Sequence, residues 1–124
     1  MTRRAWGTGL LLALLYALVS VIAVAVVATR RDTELSTAVL AIPVAIAAAA
    51  GILVGLLAHW VSSKVAANEP DPDVPVTAGT LVASGAVFVH AVFALRPLGW
   101  TAGLAVAVVL TVTTHVAVGR RLRR

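Results

Sequence analysis

Apolar residues fall into four long blocks along this chain, at 5–28, 39–61, 76–95 and 98–118, and polar residues gather between and around them. None of the four blocks contains Asp, Glu, Lys or Arg. A helix crossing the hydrocarbon core of a bilayer needs about 20 mainly apolar residues, and each block reaches that length. In lipid a helix satisfies its own backbone hydrogen bonds, which a lone strand or irregular segment cannot do. The pattern therefore predicts an all-α, integral membrane four-helix bundle, a single membrane domain over residues 1–124.

The connections fit this reading. Residues 29–38 are polar, and Ser36 or Thr37 can cap the second helix, because a hydroxyl oxygen there accepts from a free N–H of the first turn. Residues 63–75 form the longest link. Its Asn68-Glu69-Pro70-Asp71-Pro72-Asp73 stretch predicts an extended acidic loop, since proline lacks the N–H and restricts its neighbour. Arg96-Pro97-Leu98-Gly99 predicts a tight turn, which makes the third and fourth helices antiparallel neighbours. A basic tail, 119–124, closes the chain.

Composition sharpens the class. The chain of 124 residues is 60% hydrophobic and 12% charged, and its mean hydropathy is +1.01. A soluble domain is nearer 45–50% apolar and about 25% charged, and one this short could not bury four such blocks. There is no Cys, which removes disulfides and thiolate metal sites. Arg outnumbers Lys nine to one in a chain rich in Ala and Val, a composition that fits a prokaryotic gene of high GC content. The first block is longer than the roughly 7–15 residues of a signal-peptide core, so a retained first helix is expected.

Charge sets the expected orientation. With four spans in up-down topology, both termini and the middle loop share one side. That side carries Arg3, Arg4, Lys64, Arg120, Arg121, Arg123 and Arg124; the opposite side carries Arg30, Arg31 and Arg96. Basic residues concentrate in cytoplasmic loops, so both termini are expected in the cytoplasm of a multi-pass cell membrane protein. Trp6 and Trp60 fall at the inner interface and Trp100 at the outer one, where amphipathic rings settle. The net charge of +5 is then explained by topology and by anionic lipid headgroups, with Arg120, Arg121, Arg123 and Arg124 resting on the inner leaflet. No nucleic-acid partner is expected.

Two helices carry a similar ridge of small residues at steps of four. The second reads Pro43, Ala47, Gly51, Gly55, His59, Ser63; the fourth reads Gly99, Gly103, Ala107, Thr111, His115, Gly119. Small residues four apart let helix backbones approach closely. Aligning the two His residues aligns Lys64 with Arg120, which suggests a repeated hairpin. The expectation is that the second and fourth helices pack on one another through Gly51, Gly55, Gly99 and Gly103, within one chain or between two.

The chemistry available inside the blocks is thin. Apart from Tyr16, the titratable side chains there are His59, His90 and His115. Ionisable groups within a membrane are functional candidates. His59 and His115, at one depth on parallel helices, could ligate a haem iron or another metal through neutral imidazole. All three His residues could serve a proton or ion path, although a coupled transporter would usually add an embedded Asp or Glu. The simplest reading makes them packing or interfacial residues. There is no GxSxG, HExxH or phosphate loop, and no paired carboxylates in the spans to run acid–base hydrolysis. The expectation is a non-enzymatic membrane subunit or scaffold with no cofactor, meeting a second copy or a membrane-protein partner. The alternative is a small oligomeric channel or transporter.

Overall fold

The computed structural model of the chain describes residues 3–32, 34 and 36–123. Arg124 lies outside them. Four helices follow one another: α1, Arg3–Arg30; α2, Thr37–Asn68; α3, Asp73–Ala94; and α4, Trp100–Arg123. A single 3-10 turn, Arg96–Leu98, joins α3 to α4. All four are long and apolar enough to cross a membrane, and the described residues form no strand.

The helix ends have local causes. Ser36 caps α2, its side-chain oxygen accepting from the Val39 N–H at 3.2 Å. At the other end Glu69, which precedes Pro70, is forced into extended backbone (φ −119°, ψ 122°) by the clash that proline imposes on its predecessor. Pro75 sits in the first turn of α3, where a missing N–H leaves no bond unmade. Asp71 Oδ1 accepts from the Asp73 N–H at 3.0 Å and fixes the entry to that helix. Gly99 holds a positive φ of 96°, which only glycine adopts without strain, and turns the chain into α4.

Two expectations about boundaries are corrected here. The extended loop at 63–75 is reduced to a link at 69–72, because Ser63–Asn68 continues as helix until Pro70 stops it. The basic tail is also helical through Arg123. Its cations thus occupy the last turn of α4, where the partial negative charge of the helix end favours them. Arg123 reaches Asp73, at the start of α3, at 3.8 Å with both side chains well exposed. Such a pair contributes little, about 0–1 kcal/mol.

The packing is inside-out relative to a soluble bundle. The buried stripe of α1 is Ala5, Thr8, Gly9, Leu12, Ala13, Tyr16, Val19 and Ser20, at helical spacing. That of α3 is Val76, Gly79, Thr80, Ala83, Ser84, Val87 and Ala91. Most of these residues are small. The large aliphatic and aromatic side chains point outward instead, among them Leu14, Leu18, Ile42, Ile46, Leu53, Leu81, Phe93 and Trp100. Association in lipid gains nothing from hiding Leu, so close backbone approach decides the interfaces.

The most extensive interfaces are α1 with α2 and α3 with α4, followed by α2 with α3; α1 also touches α3 and α4. The ridge expectation is therefore corrected in its partner. Gly51 and Gly55 of α2 pack on α1. A Cβ on Gly51 would lie 2.5 Å from the Leu12 carbonyl oxygen, and one on Gly55 would lie 2.7 Å from the Thr8 carbonyl oxygen. Gly103 packs on the end of α3, where an added Cβ would lie 2.7 Å from the Leu95 carbonyl oxygen. Gly99 does no packing: a Cβ there would meet nothing within 4 Å.

The ridges also drift. At 3.6 residues per turn, each step of four rotates the ridge by about 40°. The buried positions of α2 accordingly run Ala47, Gly51, Gly55, then step back to Ala58 and Ser62. Those of α4 run Gly103, Ala107, then Thr114 and Val118. Aligned on the two His residues, four of the five α2 positions have a buried counterpart in α4; Gly55 matches Thr111, which is only half-buried. The upper part of the α2 stripe, Gly51 and Gly55, meets α1, whereas Ala58 and Ser62 lie against Gly79 of α3, and the His side chains fall off the buried stripe.

Candidate functional site

The spans hold several hydroxyls, and most spend their hydrogen on their own helix. Thr8 donates to the Arg4 carbonyl (2.9 Å), Thr80 to Val76 (2.9 Å), Ser84 to Thr80 (2.6 Å), Thr111 to Ala107 (2.7 Å) and Thr114 to Leu110 (2.7 Å). Back-bonding of this kind satisfies the polar group without a partner helix or water. These residues therefore line no polar stripe through the bundle.

The three histidines are dispersed. His90, on α3, stacks on Tyr16 of α1, with ring centroids 4.2 Å apart and planes within 2°. Its Nε2 is buried and has no hydrogen-bond partner among the described residues. Tyr16 itself is 5% exposed and belongs to the central core with Leu12, Ala83 and Val87. His59 is half-buried and faces a cavity at the end of the bundle where α1 begins and α4 finishes. His115 is exposed on the outer face of α4. α2 and α4 share no extensive interface, so the expected facing pair of His59 and His115 has no helix contact to hold it together. Among the described residues, no group of three His, Cys, Asp or Glu side chains converges on a metal position.

The cavity beside His59 gathers three arginines and a histidine. It measures about 690 Å³ and draws on all four helices: Arg3 and Arg4 from α1, His59, Ser62, Ser63 and Ala66 from α2, Val76 from α3, and Arg121 and Leu122 from α4, with Pro72 and Pro75 at its edge. Sequence reading placed Arg3, Arg4 and Arg121 on one side of the membrane but gave no reason to join them with Ser62. The helical drift of α2 supplies it, turning Ser62 inward where the ridge had pointed to Ser63. Ser63 instead donates to the His59 carbonyl at 2.9 Å.

Of the expected tail arginines among the described residues, Arg121 enters this cavity; Arg120 and Arg123 do not line it. Lys64 lies outside it, its Nζ 5.7 Å from the centre of the Trp60 ring. At the opposite end Arg96, Pro97, Phe93 and Trp100 surround a shallower depression. This groups a cation with exposed aromatic rings, the residue types that anchor a span at an interface.

The chain matches no protein-family model, no curated protein and no solved structure at a significant level.

Proposed function

We propose that this is a four-helix, up-down integral protein of the cell membrane with both termini in the cytoplasm, working as a non-enzymatic subunit or scaffold. The observation that carries the reading is the inside-out distribution of side chains. Large apolar residues cover the outer faces of four span-length helices, while most of the buried helix positions are Gly, Ala, Ser or Thr. The spans offer no continuous polar path and no cluster of catalytic groups among the described residues. The face that remains free is apolar, suited to lipid, to a second copy or to a membrane-protein partner. The basic end of the bundle, with Arg120, Arg121, Arg123 and Arg124, rests on anionic headgroups, each cation adding about 1 kcal/mol there.

Reconstitution into liposomes tests this reading. The expected result is no flux of protons, potassium or small solutes above that of empty vesicles. One observation favours the alternative of a small oligomeric channel or transporter: the buried, unpartnered Nε2 of His90 beside Tyr16. Flux that disappears in His90→Ala would replace the scaffold reading with that one.

A further inference from the structure

We propose that the cavity at the basic end of the bundle is a binding site for the phosphate of one anionic membrane lipid, held by Arg3, Arg4 and Arg121 with the hydroxyl of Ser62. The inference rests on the membrane reading above and goes beyond diffuse attraction of the tail to a headgroup surface.

Four observations converge. First, three arginines from two helices line one cavity, and no Asp or Glu among the described residues lines it. Arg123, not a cavity arginine, takes Asp73. Arg3, Arg4 and Arg121 have no ion-pair partner among the described residues, so their mutual repulsion is uncompensated within the site. A phosphate offers the compensation and accepts bidentate bonds from guanidinium. Second, Ser62 is 8% exposed, faces this cavity and has no hydrogen-bond partner among the described residues. Third, the Arg121 guanidinium lies against Gly7 of α1, where an added Cβ would meet it. Glycine at that position leaves the groove in which the arginine lies. Fourth, apart from His59 and Ser63 the remaining wall is apolar, made by Val76, Pro72, Pro75, Ala66 and Leu122. A free phosphate has no use for such a wall, whereas a lipid places its glycerol backbone and the first methylenes against it.

The test is native mass spectrometry of the purified full chain released from nanodiscs containing phosphatidylglycerol and phosphatidylcholine in equal amounts. The expected result is one retained phosphatidylglycerol per chain, preferred over phosphatidylcholine by about ten-fold or more, as charge-assisted bonds imply. Arg4→Gln with Arg121→Gln abolishes the preference, whereas Arg120→Gln with Arg123→Gln, outside the cavity, removes only the diffuse attraction and keeps the one retained lipid. Gly7→Ala gives a second handle. The new methyl meets only the far end of a flexible side chain, so the fold survives while Arg121 is displaced and the preference falls.

Equal loss in the two arginine pairs, or no preference in the unaltered protein, overturns the site. Inorganic phosphate that raises the thermal midpoint in detergent as much as phosphatidylglycerol does overturns the lipid as its source. Alkaline carbonate extraction separates the two levels of the argument. A chain that stays in the membrane yet shows no lipid preference refutes this site alone; a chain that is extracted refutes the membrane reading beneath it.

Discussion

Gly55 of α2 rests directly on Gly9 of α1: a Cβ at Gly55 would lie 2.6 Å from the Gly9 backbone nitrogen. Both sides of this contact are backbone, so neither can yield by rotating a side chain. Gly51 repeats the contact one turn away, against Leu12 and Ala13. Gly55→Ala should therefore destabilise the protein by about 1–3 kcal/mol, the usual cost of overpacking, and Gly51→Ala by a similar amount. Thermal unfolding in mild detergent measures it. Wild-type stability in both variants would show that α1 and α2 do not meet here.

The exposed glycine of α3 provides the opposite expectation. Gly85 is exposed in mid-helix, and a Cβ there would meet nothing within 4 Å. Gly85→Ala should leave stability unchanged or raise it by up to about 1 kcal/mol, because alanine loses less backbone freedom in a helix. Gly103→Ala should behave like Gly55→Ala, since its new methyl would press on the Leu95 carbonyl. A Gly85→Ala variant less stable than Gly103→Ala would mean that the outer face of α3 is itself an interface, as between two copies.

How far the fold could be read from sequence depends on which physical signal each feature leaves. The four helices were legible because span length and absence of charge are local properties. Ser36 as a cap and Gly99 as a turn residue were legible for the same reason, although Gly99 was also expected to pack. The ridge of Gly51 and Gly55 was visible, but its partner was not. Small-residue ridges on α2 and α4 look alike, and nothing in one sequence says whether each faces the other or its own hairpin mate. The end of α2 was misread at Ser63 because hydropathy falls there while helix propensity does not. Ser62 was missed as a site residue because a four-residue ridge was followed without its rotation. The joining of Arg3, Arg4 and Arg121 needed the fold, since those residues lie at opposite ends of the chain.

Orientation can be read by labelling, because the chain has no native Cys. Single substitutions Glu34→Cys, in the α1–α2 connection, and Asp71→Cys, in the α2–α3 link, place thiols at opposite ends of the bundle. With seven basic residues against three favouring cytoplasmic termini, a membrane-impermeant maleimide on intact cells should label Glu34→Cys and spare Asp71→Cys until the cells are opened. The reverse pattern would place the basic cavity outside and invert the proposed topology. Labelling of both in intact cells would break the four-span arrangement.

Tyr16 and His90 separate packing from proton chemistry. The two rings stack at 4.2 Å and nearly parallel, an aromatic contact worth about 0.5–1.5 kcal/mol beyond the area it buries. The buried Nε2 of His90 lacks a partner among the described residues, and an unsatisfied buried polar atom costs about 1–3 kcal/mol. His90→Phe keeps a ring in the stack and removes the orphaned nitrogen, so it should match or exceed the wild type in thermal stability. His90→Ala loses the ring and leaves a cavity, and should cost about 2–4 kcal/mol. A scaffold tolerates His90→Phe in every functional assay, because it needs no proton carrier there. A proton path does not, because phenylalanine cannot carry a proton. Full function with His90→Phe therefore assigns His90 to packing, and loss of function at unchanged stability assigns it to transport.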